Sequence, residues 1–507
     1  MNMQEMLRHT NVAGSFAQCK MGIEREGQRA TLQGQLATTD HPQTLGSRAY
    51  HPYIQTDFAE TQLELITPIC TRTTDLTNWL ELLHTTAETA MAPNEVLWPI
   101  SMPPALPKDE QDIQLAKLSD PHDVAYRSHL AAVYGRRKQM VSGIHFNFEF
   151  DPALVKQLFD QQNDIPDFGD FKTALYFKVT RNYLRYQWLI TYLMGASPTS
   201  EPGYFTDDDR PTKPVRSIRN SHYGYTNGPD VHVSYADMPH YLADLDRLEA
   251  AGTLSQDKEF YAPVRLRGGH EVHDLRTAGV EYLELRNIDL NPFSPYGINS
   301  AQITFLRCFL LTLLWLDEEQ PADDWVATGT AANDAVALED PTTISARVEE
   351  GEMLVNTMEE MSHALQLPLS ATLFNDARYT LHRPEKTPAY MLYTQSRLSS
   401  QERFATGIAM RNKQSANTAT DRFMATNVQL RILLINAVKR GITVTFTNRT
   451  KTAFKLSFND RTIYVSDRGT SNDGDHWQPV TTENPLPVTV AHALDMIWRG
   501  EKHEDEE

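Results

Sequence analysis

The chain has 507 residues, enough for about three domains at roughly 150 residues each, or for one large catalytic domain with a small appendage. Hydrophobic residues make up 40% and charged residues 22%, ordinary globular usage that excludes collagen-like, prion-like and wholly disordered chains. With 47 basic against 66 acidic side chains the net charge is −19, a field that repels a phosphate backbone, so no nucleic-acid partner is expected.

In chain order, the opening segment carries Glu5, Arg8 and His9 where a secretory signal needs a continuous apolar stretch, and the expectation is a cytoplasmic protein. The run 21–29 alternates as a strand does, and Glu24 and Glu26, two apart, share one of its faces. A second strand is predicted over 63–69, with Asp57 and Phe58 ahead of it and Glu64 inside it. Leu76, Trp79, Leu80 and Leu83 mark one side of a helix over 75–91. A third strand over 142–150 puts Ile144, Phe146, Phe148 and Phe150 on one face and His145, Asn147 and Glu149 on the other. Helical periodicity runs from 173 to 194 and stops at Gly195. Two basic and aromatic segments follow, a loop-like 213–227 with Arg216, Arg219, Tyr223 and Tyr225, and 259–267 with Tyr261; arginine there suits a carboxylate or phosphate, or a surface salt bridge. Gly268, Gly269, His270 and His273 read as a loop. The fourth strand, 280–290, turns Leu283 and Leu285 to a core and Tyr282, Glu284 and Arg286 to the opposite face.

A helix over 301–316 ends in the longest strongly apolar run, 309–316, well short of the ~20 residues a membrane helix needs. The acidic stretch 317–325 reads as an exposed connection. Cys19, Cys70 and Cys308 form no CxxC pair, so reduced thiols are expected. A boundary is expected near residue 423. Beyond it a helix over 428–438 is stopped by Lys439, Arg440 and Gly441, then followed by a strand over 442–446 and a strand pair near 454–465. This gives a main domain 1–423, a small α/β unit 424–500 and an acidic tail 501–507.

Strands dispersed among helices without regular alternation argue for an α+β fold with a largely antiparallel sheet. No GxGxxG, GxxxxGKS/T or GxSxG motif supports a dinucleotide fold, a phosphate loop or a hydrolase triad. If the four strands are neighbours, Glu24, Glu26, Asp57, Glu64, His145 and Glu284 converge. Taken singly, each carboxylate suits the solvated face of a half-buried strand. Taken together they repel one another unless cations neutralise them, and such oxygen donors favour Mg2+, with the histidine tolerating Mn2+. Magnesium held by carboxylates commonly meets substrate phosphates as well.

The segments GIEREGQR (22–29), LATTDHPQTLGS (36–47), TDFAETQLELITP (56–68), WPISMP (98–103), SGIHFNF (142–148), RNYLRYQWLITYLMGASP (181–198) and GVEYLELRNIDLNPFSP (279–295) resemble bacterial glutamate–cysteine ligases of the proteobacterial and lactic acid bacterial type. The resemblance spans roughly residues 15–420. It implies a glutamine synthetase-like fold, with a funnel-shaped site on an antiparallel sheet and helices packed on the other face. It also implies ATP-dependent joining of the L-glutamate γ-carboxylate to the L-cysteine amine through γ-glutamyl phosphate, the first step of glutathione biosynthesis. Carried over by position, Glu24, Glu26, Asp57, Glu64, His145 and Glu284 match metal-binding residues. Arg219 and Arg286 match substrate and phosphate arginines and, with Glu284, form the expected catalytic set. Phe58, Gln139, Tyr225 and Tyr261, beside Arg219, match the cysteine site. No membrane or obligatory protein partner is implied. Residues 425–473 are similar to the junction and first strands of the ATP-grasp half of fused glutathione-making enzymes. Fewer than 40 residues follow, so a truncated remnant without glutathione synthetase activity is expected. Two alternatives stay open: a related ligase with a different amine acceptor, and a non-catalytic metal-binding relative, against which the intact Glu284, Arg286 and His145 argue.

Overall fold

A computed structural model describes residues 2–206, 210–269, 272–418, 428–447, 453–459, 461–466, 469–471 and 478–479. His270, the expected boundary near residue 423 and the tail 501–507 lie outside the described residues.

The centre is a seven-stranded sheet built from β1 (Lys20–Thr31), β2 (Ile54–Thr56), β3 (Gln62–Ile66), β4 (Glu95–Leu97), β5 (Gly143–Glu149), β6 (Val264–Arg267) and β7 (Tyr282–Asp289). Its order is β2-β3-β1-β5-β7-β6, β4 pairs with the far end of β1, and every ladder is antiparallel. All four strands expected from alternation are present. The periodicity of two sends Ile23, Ile144, Phe146, Phe148, Leu283 and Leu285 to one face, where all are buried in the main core. Helices Phe168–Met194, Ser300–Trp315 and Thr73–Ala90 contribute the other half of that core. The opposite face keeps Glu24, Glu64, His145, Glu284 and Arg286.

Strict alternation breaks at one point in β7. Between Ile144↔Ile288 and Phe146↔Leu285 the ladder slips, so Arg286 and Asn287 of β7 oppose His145 alone. Such a bulge resets which way the following residues point. Asn287 bonds Tyr183 and Gln187 of the helix behind the sheet, Ile288 joins the core, and Asp289 returns to the face that carries Arg286.

The helix 168–194 starts five residues before the periodic pattern because the Asp167 side chain caps it, accepting from the Asp170 amide at 3.0 Å. The helix Ser300–Trp315 is opened by an Asn299–Gln302 capping box. The stretch 317–325 is only partly an exposed connection. A helix, Ala322–Ala337, begins inside it, and Trp325 is 2% exposed with its Nε1 donating to Asn182 Oδ1 at 2.8 Å. An acidic composition hid one buried indole that anchors the segment.

Helix Val428–Lys439 and strands β8 (Thr443–Phe446), β9 (Ala453–Phe458), β10 (Arg461–Ser466), β11 (Gly469–Ser471) and β12 (Gln478–Pro479) form a second unit, with sheet order β12-β11-β10-β9-β8. It docks behind β2. His51 Nε2 lies 2.7 Å from the Val438 carbonyl, the Val444 amide donates to Tyr53 Oη at 3.0 Å, and Trp79 sits between Tyr53 and Phe446 with ring centroids 5.3 and 5.7 Å away. Cys19, Cys70 and Cys308 are free and buried. Among the described residues no helix is long and apolar enough to cross a membrane.

Candidate active site

Strand register assembles an acidic ring on the open face of the sheet. Glu26 stands opposite Glu64, and Glu24 opposite His145. His145 Nδ1 is 3.1 Å from Glu24 Oε2 and 3.5 Å from Glu284 Oε1, while its Nε2 is 3.4 Å from Glu26 Oε1. Asn147 donates to Glu24 Oε1 at 2.9 Å and the Gly143 amide to Glu26 Oε2 at 2.8 Å. Ligand atoms of Glu24, Glu64 and His145 lie within 4.8 Å of one another. Asp57 follows β2, and its charge acts on both Glu26 and Glu64.

The electrostatics divide the ring in two. Burial pushes the Glu64 carboxyl well above the usual range, and the charges of Glu24, Asp57, Glu26 and Glu284 push it further. Glu26 is raised too, by burial and then Asp57, against the opposing pull of His145, Arg219 and Arg286. Burial would also raise Glu284, but the Arg286, Arg265 and Arg267 guanidiniums overcome it and hold this carboxyl well below the usual range. Arg267 Nε is 2.5 Å and Arg286 Nε 3.5 Å from Glu284. Glu284 is therefore compensated by guanidiniums of the chain, whereas at Glu26 and Glu64 burial and like charge prevail. Three carboxylates and one imidazole gathered on this face are a donor set that fits a hard divalent ion.

Beside the ring stands a cationic wall. Arg286 is half-buried, and its buried Nε and Nη1 atoms make no hydrogen bond among the described residues. Its Cζ lies 5.2 Å from the Tyr261 ring centroid. Arg219 comes in from the 215–221 loop, and its Nη2 donates to the Arg286 carbonyl at 2.7 Å. Tyr261 and Tyr225 meet edge to face at 5.0 Å, and Tyr225 meets Tyr134 at 5.3 Å. Burial pushes the Tyr225 hydroxyl up to about 12, partly offset by a hydrogen bond with Gln139. Asn227 fixes this corner by accepting from the Tyr261 amide at 2.6 Å and donating to Tyr134 Oη at 3.0 Å. Phe58, 3% exposed, packs in a separate apolar cluster with Met102, Met140 and Ile218.

A cavity of about 900 Å³ is bordered by Arg219, Tyr225 and Tyr261 and runs behind β7 past Asn287 toward helix Ala322–Ala337. The acidic ring lies outside its wall. Charge decides between the two, and we place the candidate chemistry at the ring and its arginines. Arg265 and Arg267 lie in the segment 259–267, whose arginines were expected to suit an anion, but their partner Glu284 is set by pairing with β7. Asn147 stands on the polar face that alternation gave it, whereas Gly143 and Asp289 carried no signal that stood out from their neighbours.

The sequence profile described as glutamate-cysteine ligase matches residues 4–252 and 246–335. The chain is 43% identical over 491 residues to the glutathione biosynthesis bifunctional protein of Enterococcus faecalis and 39% identical over 496 residues to that of Mannheimia succiniciproducens. Each comparison covers 96% of this chain and 65% of the relative, so the chain spans 65% of the length of these curated relatives. Its fold is similar to the crystal structure of a bifunctional glutathione synthetase from Pasteurella multocida, with a TM-score of 0.86 and 35% identity over 93% of this chain and 63% of that one. A glutamate–cysteine ligase from Francisella tularensis in complex with AMP shares the fold at a TM-score of 0.73 and 24% identity, over 83% of this chain and 93% of that one. A mixed helical and antiparallel-sheet architecture close to these structures, together with a profile match across most of the chain, shows that the chain belongs to the glutamate-cysteine ligase family.

Proposed function

We propose that the chain joins the γ-carboxylate of L-glutamate to the amine of L-cysteine at the expense of ATP, giving γ-glutamylcysteine, ADP and phosphate. The observation that carries this reading is the meeting of two opposite charge sets at Glu284: the carboxylates Glu24 and Glu64 around His145, whose Nδ1 lies 3.5 Å from Glu284, and the arginines Arg267 and Arg286, at 2.5 and 3.5 Å from it. A carboxylate does not acylate an amine in water, so its oxygen first takes the γ-phosphoryl group of ATP, releasing ADP, and then leaves as phosphate when the amine attacks. Glu24, Glu26, Asp57, Glu64 and His145, with Glu284, would hold Mg2+, or Mn2+, whose charge screens the ATP phosphates when bound.

The chain's own groups do the rest. The unbonded N–H groups of Arg286 take up charge on the phosphoryl group in transfer, and Glu284 holds that arginine in place. Arg219 grips an anionic group of the substrate. Gln139, Tyr225 and Tyr261 frame the amine acceptor, over the floor that Phe58 packs beneath. The amine attacks in its neutral form, accessible at mild cost for an α-amino group with pKa near 8. A largely apolar wall of this kind separates side chains by only about 1–3 kcal/mol, so 2-aminobutyrate is expected to be accepted in place of cysteine.

In this reading the open sheet face is the funnel of a glutamine synthetase-like fold. The catalytic domain ends near residue 423, and the reaction runs in the cytoplasm, where ATP is at hand. The test is phosphate release with ATP, Mg2+ and L-glutamate, with and without L-cysteine, alongside mass detection of the product. Cysteine-dependent release with the γ-glutamylcysteine mass is expected. Release driven by a different amine would move the acceptor pocket to a related ligase, and no release with any amine would overturn the reading.

A further inference from the structure

Arg219 is held by a socket whose parts come from three distant segments. Asp289 sits at its base, 1% exposed, brought to this face by the bulge in β7. One carboxylate oxygen, Oδ2, accepts from the Ala196 amide at 2.7 Å, Ser197 Oγ at 2.7 Å and Ser217 Oγ at 2.8 Å. The other, Oδ1, faces Arg219 Nη1 at 3.6 Å and the Asn220 amide group at 3.4 Å. Ser197 Oγ also receives the Arg219 backbone amide at 3.3 Å. Asp289 thus ties the end of helix Phe168–Met194 to the 215–221 loop and faces the guanidinium that loop delivers.

The far side of the socket is a missing side chain. Gly143 is the register partner of Asp289, and a Cβ there would overlap the Arg219 guanidinium. The arginine occupies the volume that any other residue at 143 would fill. With Nη2 on the Arg286 carbonyl at 2.7 Å and Nη1 on the Ile288 carbonyl at 3.3 Å, two of its five N–H groups are committed to β7. Arg219 also borders the cavity described above.

We propose that Asp289 is a positioning residue for the ligase reaction, which with Gly143 sets the orientation in which Arg219 presents its guanidinium to the anionic substrate. The inference rests on the ligase reading above. An arginine clamp contributes only when its fork is aimed, and a displacement on the order of 1 Å in such a group costs on the order of 100-fold in rate.

The test compares the wild-type chain with Asp289→Asn, Arg219→Ala, the double variant and Gly143→Ala, by kcat/KM for L-glutamate and by circular dichroism. Asp289→Asn and Gly143→Ala are expected to lose on the order of 100-fold in kcat/KM, the second with every charge retained. Free guanidinium, far below denaturing concentrations, is expected to restore part of the activity of Arg219→Ala. It should restore none in the double variant, a difference that a merely structural Asp289 would not produce. Wild-type kcat/KM in Asp289→Asn, or equal rescue in both backgrounds, overturns the inference and leaves the ligase reading standing. If Asp289→Asn fails to fold, full activity in Gly143→Ala overturns it instead. A wild-type chain that releases no phosphate with any amine defeats the ligase reading and this role with it.

Discussion

At the scale of single residues, the active face is distinguished by carboxyl groups kept where they are electrostatically unwelcome. Glu64 is the extreme case, raised by burial and by four neighbouring carboxylates. Replacing it by glutamine removes one of the repelling groups, so Glu64→Gln is expected to melt at or above the wild type in a chelator. The same change is expected to abolish most of the melting increase on adding Mg2+, because a ligand that binds only the folded state stabilises by mass action. Calorimetry with and without the ion checks both, and a larger Mg2+ response in the variant would sink the assignment. Glu88 shows the same physics away from the site. Burial pushes its carboxyl up from 4.5 to about 7, against a bond from the Leu97 amide and the charges of Lys413 and Arg25. Between about 4.5 and about 7 the folded chain holds a proton that the unfolded chain has lost. This group therefore makes stability fall as pH rises through that window and level off above it. Glu88→Gln is expected to flatten that decline in urea midpoints between pH 5 and 8, and an unchanged slope would refute the assignment.

At the scale of elements, period-two alternation made the central strands legible before any coordinates, because each faces a core on one side only. Phe146 and Asn147 are adjacent in β5 and test that division. Phe146→Ala empties a fully buried site and is expected to cost about 3–5 kcal/mol in urea unfolding. Asn147→Ala is expected to cost under about 1 kcal/mol and to act on turnover, through the lost bond to Glu24. Comparable losses in stability would contradict the faces assigned here. The same rule fails at Asp289, which alternation groups with Leu285 and Asn287. Only the bulge, a product of pairing with a strand some 140 positions earlier, turns it to the substrate side. The partners of Glu284 were likewise half legible. Arg286 shares its strand, but Arg267 reaches it from β6 through a ladder that no local pattern announces. Trp325 was missed for another reason: acidic neighbours outweighed one indole in the composition of its segment.

For the whole molecule, the unit from Val428 onward is packed against the preceding chain by a seam of aromatic rings and by hydrogen bonds between its backbone and the side chains of His51 and Tyr53. Ending the chain at 423 would strip Tyr53 and Trp79 of Phe446. The shortened protein is expected to melt lower while keeping ligase activity when cold, and an unchanged melting temperature would count against a packing role for the unit. A different consequence follows from how the acidic ring is stitched together, and it concerns time. Its members come from β1, β3, β5 and β7, so the set is complete only once the chain has been made through β7. During synthesis, at about 5–20 residues per second, β1 waits on the order of ten seconds for β5, and β5 longer still for β7. Through that interval Glu24, Glu26 and Glu64 share a nascent sheet without the arginines of β6 and β7. Closure over such sequence separations is intrinsically slow, and the last strands to emerge are the ones that bring the positive charge. Refolding of the full chain should therefore speed up in buffers containing divalent cations, which supply early the charge that the sequence delivers late.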